Sequence, residues 1–412
     1  MKIYDIIIVG AGPAGIMAAI HSGQLGKDVL LLEKNRRLGQ KLLISGKGRC
    51  NLTNIGTLDN FLDNFSKTGQ FLRSAFSAFF NNDLVRFFED KGLKLKAERG
   101  GRVFPMTDKA NSVLKVLKSY LEENNVKIIY NKKVVNIGKN NRFVVKLDDQ
   151  AMFFAKRLIL ATGGKSYPLT GSTGDGFKFA CDLGHKIVDL RPGLVPLEAA
   201  QDWIKDLQGL SLKNVRIKFS HGKKQIESEI GEMIFTHFGV SGPLVLELSG
   251  QVTEWPSGQV RMCIDLKPGL TSEQLDKRLM RDFKNQGAKN YKNVLAELLP
   301  KKLIACFVRL SGIAADKKAN QITNQDRRMV LNLLKSFSLT ITKSRPIEEA
   351  IITRGGVSTR EIDPRTMQSR KIRGLYFCGE IVDVDAVSGG YNLQAAFSTG
   401  YLAGQEASRS IN

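Results

Sequence analysis

The chain opens with an apolar run, a glycine-rich turn and a helical stretch. Residues 3–9 ("IYDIIIV") are almost continuously apolar, a pattern typical of a parallel strand buried on both faces. The small-residue segment 11–26 predicts a helix, and "DVLLLEK" at 28–34 predicts a second strand. The first 33 residues therefore predict a βαβ unit.

The pattern changes several times further along the chain. Residues 67–91 and 108–124 have helical spacing, and short strand-like runs follow between 127 and 164. Between 191 and 270, alternating segments separated by Gly, Pro and Ser predict a small antiparallel sheet or barrel. Residues 271–337 predict basic helices, and from about 346 the glycine-rich, apolar texture returns.

These changes predict an α/β fold in which both chain ends form one discontinuous Rossmann-like domain. A chain of 412 residues is long enough for two or three domains. We place the first part of the Rossmann-like domain at 1–190 and its last part at 356–412. Between them we predict a β-rich, barrel-like insertion at 191–270, a small basic helical domain at 271–337, and a return through the β-rich domain at 338–355.

The segment from Gly10 to Gly15 reads GxGxxG between a predicted strand and a predicted helix. Gly10 permits a tight turn, Gly12 lets the backbone approach a pyrophosphate, and Gly15 allows close helix–strand packing. The helix N-terminus offers free N–H groups to the anion. Glu33, at the end of the second strand, would accept hydrogen bonds from a ribose. This context predicts a dinucleotide site.

Two later segments favour a flavin as the dinucleotide. "RLILATGG" (157–164) and "GSTGDG" (171–176) resemble the second half of flavoprotein dinucleotide domains. The terminal "GLYFCGEIVDVDAVSGGYNLQAAFSTG" resembles their flavin-ribityl segment. There Glu380 would hold ribityl hydroxyls, and the N-terminus of the last helix, near 389–393, would stabilise the negative charge that grows on flavin reduction.

The polar loop "SGKGRCNLTN" (45–54) is unsuited to a helix or strand interior and suits a site lining. Gly46 and Gly48 would bring backbone N–H groups close to the cofactor, and Arg49 would supply positive charge. Asn51 would order the cofactor or a nucleobase edge. Cys50, beside Arg49, is a proton-donor candidate, and its alternative role is a small buried side chain packed in the core.

His237 in "THFGVSGP" is the second candidate acid, provided that the β-rich insertion covers the flavin. The alternative is a histidine satisfied at the surface or in the core. The five cysteines are scattered and form no CxxC pair, so we predict no disulfide framework, no metal site and a cytoplasmic location. No apolar run reaches the ~20 residues of a membrane span, and a signal peptide is not expected.

The chain carries 62 Lys and Arg against 40 Asp and Glu, a formal net charge of +22. Residues 271–345 alone contain sixteen basic and six acidic residues. Such a local concentration favours a nucleic-acid partner, with RNA bound through these basic residues. The alternative is a generally basic surface that keeps the protein in solution.

The stretches "LGQKLLISGKGRCNLTN", "ERGGRVFPMTDKANSVLKVL", "THFGVSGPLVLELS" and "TRGGVSTREIDP" resemble the YhiN/BaiN-type flavoproteins. These are often labelled NAD(P)/FAD-dependent oxidoreductases of the aminoacetone-oxidase family. The resemblance runs over nearly the whole chain and implies an FAD-binding domain with a β-rich and a helical insertion. Functional labels within the family are an amine oxidase, a reductase of unsaturated steroid-like substrates and a ribosomal-RNA dihydrouridine synthase.

The resemblance and the charge together predict an FAD enzyme that uses NAD(P)H to reduce a uridine of large-subunit ribosomal RNA. Hydride would pass from flavin N5 to the uracil ring, giving dihydrouridine. One alternative is an amine oxidase or ene-reductase acting on a small molecule, and a second is a non-catalytic RNA-binding flavoprotein. No membrane partner is expected.

Two residues are predicted to be catalytic, Cys50 and His237. The predicted cofactor-binding residues lie mainly near both ends of the chain: Gly10, Gly12, Pro13, Ala14, Gly15, Glu33, Lys34, Lys41, Gly46, Gly48, Arg49, Asn51, Val135, Ala161, Thr162, Gly163, Gly379, Glu380, Asp383, Gly390, Tyr391, Asn392 and Leu393.

Overall fold

The structure is a computed structural model that describes residues 2–256 and 260–411. Residues 1, 257–259 and 412, which fall within the predicted domain ranges, lie outside the described residues. The chain divides into two compact units. The first unit is formed by Met1–Gly193 with Ala350–Asn412, and the second by Leu194–Glu349.

The strands are numbered in chain order. They are β1 (Ile3–Val9), β2 (Val29–Leu32), β3 (Thr53–Asn54), β4 (Leu95–Glu98), β5 (Arg102–Pro105), β6 (Lys127–Ile129), β7 (Val134–Lys139), β8 (Phe143–Leu147), β9 (Met152–Leu160), β10 (Ile187–Gly193), β11 (Leu197–Ala199), β12 (Ser211–His221), β13 (Lys224–Glu227), β14 (Gly231–Phe235), β15 (Gly239–Ser241), β16 (Val260–Asp265), β17 (Phe337–Ser344), β18 (Ile352–Val357) and β19 (Leu375–Phe377).

The α-helices are numbered in the same way. They are α1 (Pro13–Gln24), α2 (Gln40–Ile44), α3 (Leu58–Asn64), α4 (Arg73–Ala78), α5 (Asn81–Glu89), α6 (Ala110–Glu123), α7 (Asp175–Asp182), α8 (Pro243–Val252), α9 (Ser272–Asn285), α10 (Tyr291–Val294), α11 (Lys301–Ser311), α12 (Asn324–Lys335) and α13 (Tyr391–Arg409).

The first unit is built on a sheet whose central strands are parallel, as the apolar runs predicted. Its order is β6-β2-β1-β9, with β19 also parallel beside β9 and with β8 and β7 continuing antiparallel. The side chains of Ile6, Ile7 and Ile8 in β1 are fully buried. Strands at such positions have both faces covered, so a continuous apolar run is stable there. The predicted βαβ unit is confirmed.

Helices α1 and α13 pack closely against each other because glycines of α13 face the backbone of α1. A Cβ at Gly400 would lie 2.2 Å from the Ala14 carbonyl oxygen, and one at Gly404 would lie 2.5 Å from that of Ala18. Both pairs advance in the same direction along the two helices. The helices are therefore parallel, and their N-termini point the same way.

The second unit contains a closed barrel. Its strands follow the order β12-β14-β15-β11-β17-β16, and a further pairing of β16 with β12 closes the circle. β13 extends β12 as a hairpin. All of these pairings are antiparallel. The barrel predicted from the alternating segments is confirmed, and closure removes the unpaired strand edges.

The helices of the insertion share the core of this barrel, which differs from the separate helical domain expected at 271–337. Leu275 of α9 and Val330 of α12 are buried in the same cluster as Ile264 and Phe337 of the barrel strands. An amphipathic helix must bury its apolar face against a partner, and here that partner is the barrel.

The chain passes between the units at 193/194 and 349/350, whereas we predicted 190/191 and 355/356. The difference arises because β10 and β18 pair with each other inside the first unit, from Ile187 opposite Val357 to Gly193 opposite Ile352. The return segment at 338–355 is thus divided, with β17 in the barrel and β18 in the first unit. Within the part of the chain that the structure describes, no helix is both long and apolar enough to cross a membrane.

Candidate functional site

The GxGxxG turn has the geometry that a pyrophosphate cradle requires. Gly10 has φ +101°, and a Cβ there would lie 2.6 Å from the Ala161 carbonyl oxygen. A Cβ at Gly15 would lie 1.9 Å from the Gly10 carbonyl oxygen, so only glycine fits at either position. At Gly12 no atom of the described residues lies within 4 Å of a Cβ. The backbone at Gly12 therefore borders open space at the start of α1.

No side chain of the described residues caps the N-terminus of α1. Its N-cap residue, Gly12, has no side chain to accept from the first N–H groups, and Pro13 occupies the first turn. The remaining free N–H groups and the positive end of the helix dipole suit an anionic ligand. These two features together fit the phosphates of a dinucleotide.

Glu33 is held at the same turn. Its carboxylate accepts hydrogen bonds of 2.8 Å from the backbone N–H groups of Ala11 and Asn35, and its side chain is 7% exposed. Burial raises the pKa of Glu33, while these backbone N–H groups oppose that shift. The carboxylate is thus oriented beside the cradle, where a ribose hydroxyl can donate to it.

The segment after β9 completes this side of the cradle. The Ala161 N–H donates to Val9 across the sheet at 2.9 Å, and Gly163 has φ +73°. The Thr162 hydroxyl oxygen is buried and has no hydrogen-bond partner among the described residues. This oxygen would lie 1.8 Å from a Cβ at Gly176, so the hydroxyl packs against the first turn of α7.

The polar loop 45–54 serves a second turn, the one that precedes α13. The Asn51 amide, in the orientation that satisfies its neighbours, accepts from the Gly390 N–H at 2.9 Å and donates to the carbonyls of Thr53 and Val103. Asn54 donates to the Gly389 carbonyl at 3.1 Å. Both asparagines therefore position the Gly389–Gly390 turn, and the amide of Asn51 is occupied by the protein backbone.

The Gly389–Gly390 turn presents the N-terminus of α13 in the same manner as the first turn presents α1. Gly390 has φ +99°, a Cβ there would lie 2.3 Å from the Thr53 carbonyl oxygen, and no described side chain caps the helix. Because α1 and α13 are parallel and Gly400 lies level with Ala14, the first residue of α13 lies about 12 Å before the first residue of α1 along their shared direction. An extended anionic ligand can reach both helix ends, and FAD fits this description.

Glu380 occupies the centre of a polar network in the first unit. Its carboxylate lies 2.7 Å from the Lys41 ammonium and accepts from the Thr353 N–H at 2.7 Å. Lys41 also donates to the Ser166 hydroxyl at 2.6 Å. The predicted cofactor residues Lys41 and Glu380 are therefore brought together. Ser166 and Thr353 are not among the predicted cofactor residues, although Thr353 begins the "TRGGVSTREIDP" stretch that resembles the family.

Asp383 and Asp385 follow Glu380 in the same segment. Asp385 pairs with Arg354 at 3.1 Å and accepts from the Ser66 hydroxyl at 2.9 Å. Burial raises the pKa of Asp383, and the charge of Asp385 raises it further, whereas Arg354 opposes the shift. Asp383 therefore holds a proton more readily than an ordinary aspartic acid does.

The other predicted cofactor residues near the chain ends mostly make structural contacts. A Cβ at Gly379 would lie 2.8 Å from the Ala14 Cβ, so the segment that follows β19 lies close to α1. The Asn392 amide closes the loop before α13 by bonding to the Ala386 backbone N–H and carbonyl at 3.0 and 2.9 Å. Leu393 packs on the hydrophobic core of the first unit, and the Tyr391 hydroxyl donates to Asn60 at 3.3 Å.

Lys34 and Val135 lie near the Glu33 end of the sheet. Lys34 forms an ion pair of 2.8 Å with Asp175, at the start of α7. Val135 is 40% exposed and occupies a β-bulge between Val134 and Asn136. Bulges redirect a side chain out of the regular alternation, so Val135 is presented to solvent or to a ligand.

Arg49 does not supply a free positive charge. Its guanidinium donates to both oxygens of Glu98, at 2.9 and 3.0 Å, and to Asp108 at 3.1 Å. It also lies 4.0 Å from the centre of the Phe104 ring. Gly46 and Gly48, with φ +55° and +83°, carry the chain past this cluster. Arg49 therefore joins the loop to β4 and to the turn at Asp108.

Cys50 is completely buried in the hydrophobic core of the first unit and has φ +64°. Burial raises the pKa of its thiol to about 12, although a hydrogen bond with Ser45 opposes the shift. A thiolate is therefore strongly disfavoured, and the thiol has no exposed surface. These observations favour the packing role over proton donation.

His237 lies in the second unit, in the turn between β14 and β15, and is exposed. Its ring meets Phe238 edge-on at 4.9 Å. Phe238 in turn lies 4.6 Å from the Arg345 guanidinium. Among the described residues no cluster of His, Cys, Asp and Glu suits a metal ion.

Comparisons with known proteins place this geometry in a family. The family model described as "HI0933-like protein Rossmann domain" matches residues 4–406. The chain is 32% identical over 410 residues to the ribosomal RNA dihydrouridine synthase of Escherichia coli, with 98% of each chain covered. It is 32% identical over 405 residues to the 3-dehydro-bile acid delta(4,6)-reductase of Clostridium scindens, covering 97% of this chain and 98% of the relative.

Solved structures share the fold. A flavocytochrome c3 fumarate reductase matches with a TM-score of 0.51 and 19% identity, covering 100% of this chain and 79% of its own. The 3-ketosteroid delta1-dehydrogenase from Sterolibacterium denitrificans matches with a TM-score of 0.51 and 14% identity, covering 100% of both chains. This chain belongs to the HI0933-like Rossmann family and is a flavin-dependent oxidoreductase.

Proposed function

We propose that this protein reduces a uridine of large-subunit ribosomal RNA to dihydrouridine, with FAD as cofactor and NAD(P)H as electron donor. The observation that carries the proposal is full-length similarity to proteins named ribosomal RNA dihydrouridine synthase, at 32% and 31% identity. The concentration of positive charge in residues 271–345 supports the RNA part of it.

In this proposal the first unit holds the cofactor by its two uncapped helix ends. The α1 N-terminus and Gly12 bind the phosphates, and Glu33 binds the adenosine ribose. Lys41, Glu380 and their partners hold the segment that faces the ribityl chain. When bound, FAD supplies the hydride for reduction of an electron-poor carbon–carbon double bond.

A proton must also reach the product, because reduction of a double bond adds one hydride and one proton. Of the two predicted donors, Cys50 is enclosed in the core, whereas the His237 imidazole is exposed. We therefore favour His237 as the acid. An exposed imidazole can approach a substrate, which a side chain enclosed in the core cannot do.

The basic residues of the second unit fall into two groups. Lys317, Arg327 and Lys335 are paired with Asp326, Asp276 and Asp265 at 2.6, 2.8 and 2.5 Å, and these pairs hold helices and strands together. Others are exposed, including Lys277, Lys292, Lys301 and Arg328. Exposed cations of this kind bind phosphates without reading the base sequence.

The decisive experiment is mass spectrometry of nucleosides from large-subunit ribosomal RNA of a strain that lacks the gene. Loss of dihydrouridine, restored by the wild-type gene, is the expected result. A Gly12→Val gene, which blocks the cofactor cradle, should fail to restore it. Dihydrouridine that persists at wild-type abundance in the deletion strain would exclude this substrate.

A second candidate function is reduction of an unsaturated small molecule. It is favoured by the 32% identity to the 3-dehydro-bile acid delta(4,6)-reductase over 97% of this chain. Both relatives' names describe reactions on a carbon–carbon double bond, so the flavin chemistry would be the same. NAD(P)H oxidation by the purified protein, dependent on a 3-oxo steroid with such a double bond, would support this candidate.

A further inference from the structure

A basic cavity lies in the second unit, at one end of β12. It has a volume of about 380 Å³ and is lined by residues from three elements, including Lys213, Asn214, Lys267, Gly269 and Arg278. Lys213 and Asn214 lie in a β-bulge of β12, between Leu212 and Val215, and Asn214 has φ +54°. The bulge turns this part of the strand out of the ladder. It therefore belongs to the rim of the barrel.

The remaining lining comes from the next elements of the chain. Lys267 and Gly269 lie in the turn that joins β16 to α9, and Arg278 lies on α9 itself. A Cβ at Gly269 would have no atom of the described residues within 4 Å, so the turn leaves the cavity open. Three cationic side chains thus come from separate positions and line one cavity.

The positive charge in this cavity is only partly compensated. Arg278 pairs with Asp282 through its Nε at 3.3 Å. The Asp265 carboxylate accepts from the backbone N–H of Lys267 at 2.8 Å and is paired with Lys335 at 2.5 Å. Among the described residues, neither Lys213 nor Lys267 forms an ion pair.

The surroundings of Lys267 disfavour the charged form of its side chain. Burial lowers the pKa of Lys267, and repulsion by Arg278 lowers it further. A bound anion would relieve both effects, since it would compensate the desolvated ammonium and screen it from the guanidinium. A phosphate can also accept two parallel hydrogen bonds from the guanidinium of Arg278 while it interacts with the ammonium of Lys267.

We propose that the cavity formed by Lys213, Lys267 and Arg278 binds a phosphate group of the RNA backbone and so anchors the substrate on the second unit. The inference rests on the proposed function for the identity of the polyanion. A site for one phosphate increases the affinity for RNA and does not depend on the base sequence. Such a site suits a protein that must position one uridine of a long RNA.

The test compares two double variants that each remove two lysine charges. Lys213→Gln with Lys267→Gln alters the cavity and breaks no ion pair between described residues. Lys223→Gln with Lys224→Gln is the control, because these lysines are exposed in the β12–β13 hairpin at the opposite end of β12. Flavin content and circular dichroism establish that all three proteins are folded.

The readout is the affinity of the flavin-loaded proteins for a fluorescein-labelled single-stranded RNA 12-mer, measured by anisotropy over a range of salt concentrations. We expect the cavity variant to bind about tenfold more weakly, with a log Kd against log salt slope smaller by about 1 to 2. The control should change by less than about threefold. Inorganic phosphate at constant ionic strength should compete in the wild type and not in the cavity variant.

The outcomes separate the two proposals. Equal weakening in the two double variants, or no weakening in either, would overturn the cavity assignment while wild-type dihydrouridine formation still supports the function. Binding of inorganic phosphate by the wild type in calorimetry, without any RNA binding in the anisotropy assay, would identify a site for a free anion and overturn the RNA anchor. Absence of dihydrouridine activity together with tight RNA binding would count against the enzymatic function alone.

Discussion

The Lys41 ammonium and the Glu380 carboxylate form an ion pair of 2.7 Å between residues 339 positions apart in the sequence. Ser166 and Thr353 bond to the same two groups, so four segments of the first unit meet there. The pair is about three-quarters buried, with side chains 24% and 23% exposed. Because water screens a partly buried pair less, this ion pair contributes more to stability than an exposed one does.

Replacing Glu380 by Gln should remove the charge that holds Lys41 and loosen the segment before α13. We expect a loss of stability of about 2 kcal/mol, because a charged hydrogen-bonding partner is lost at a partly buried site. Flavin content after purification should fall as well. Urea unfolding and the ratio of flavin to protein absorbance measure the two effects.

The control for Glu380→Gln is Asp28→Asn, which breaks the exposed ion pair with Lys2. Flavin content and the urea midpoint should stay close to wild type in this variant. If Glu380→Gln behaves in the same way, the network has no role in holding the cofactor.

Gly12 and Gly15 make a matched pair for the cofactor cradle. A Cβ at Gly12 meets open space, whereas one at Gly15 would lie 1.9 Å from the Gly10 carbonyl oxygen. We expect Gly12→Ala to leave thermal unfolding of the flavin-free protein unchanged and to weaken FAD binding at least tenfold. Gly15→Ala should destabilise the protein itself, by about 1 to 3 kcal/mol, through overpacking. Normal FAD affinity in Gly12→Ala would show that the phosphates bind elsewhere.

Cys50→Ala separates a packing role from a proton-donor role. A packing role predicts a loss of about 1 kcal/mol, from the small cavity created, with dihydrouridine yield retained. Loss of a general acid would instead slow product formation by about 10²–10⁴-fold. Full flavin content with stalled product formation would therefore restore Cys50 as the acid.

Thiol labelling gives an independent check on Cys50. With its pKa raised to about 12 by burial, the thiol stays protonated at pH 8 and resists iodoacetamide in the folded protein. Cys181 is exposed and should react under the same conditions, which makes it the internal control. Mass mapping that finds Cys50 modified as fast as Cys181 would contradict the buried placement.

Asp383→Asn should stabilise the flavin-free protein in a pH-dependent way. The pKa of Asp383 is raised in the fold, so the folded state binds this proton more tightly than the unfolded chain. Wild-type stability therefore falls as pH rises from the ordinary Asp pKa through the folded one. Asn cannot ionise, so its advantage should be largest at pH 7 and smaller below about pH 4. Urea midpoints that differ equally at both pH values would contradict this assignment.

Arg327 and Arg328 are adjacent residues with different environments. Arg327 pairs with Asp276 at 2.8 Å, joining α12 to α9, and Arg328 is exposed. We expect Arg327→Gln to lower the unfolding midpoint, and Arg328→Gln to leave stability unchanged while weakening RNA binding about two- to threefold. Anisotropy with the RNA 12-mer and thermal unfolding distinguish the two. Identical behaviour of both variants would contradict the division into structural and RNA-facing cations.

Local sequence pattern predicted those parts of the fold that depend on near neighbours. The apolar run of β1, the glycine turn and α1 determine one another over a few residues, and the alternation along β12 is sufficient to indicate a barrel strand. Residues such as Asn51 could not be assigned in this way. An amide in a polar loop satisfies a ligand or a backbone group equally well, and its partner Gly390 is distant in the sequence.

The same reason explains why the ion pairs of Arg49 and the packing of the helical insertion could not be predicted. The spacing of charges near Arg49 does not reveal that Glu98 and Asp108 fold back to neutralise it. Nor does the amphipathic pattern of α9 identify the surface that covers Leu275 and Leu279, which is the barrel core. Periodicity predicts that a face is buried, and only the tertiary fold determines what buries it.

The pairing of Gly193 with Ile352 gives the chain a modular construction. The polypeptide leaves the first unit after Gly193 and re-enters it just before Ile352, and these two residues are partners in one antiparallel ladder. A short hairpin between them would therefore replace the whole second unit. The 156 residues from Leu194 to Glu349 are then an exchangeable cassette. Swapping this cassette between relatives would exchange the segment that carries His237 and the basic cavity, while the Rossmann-like unit of this chain is kept.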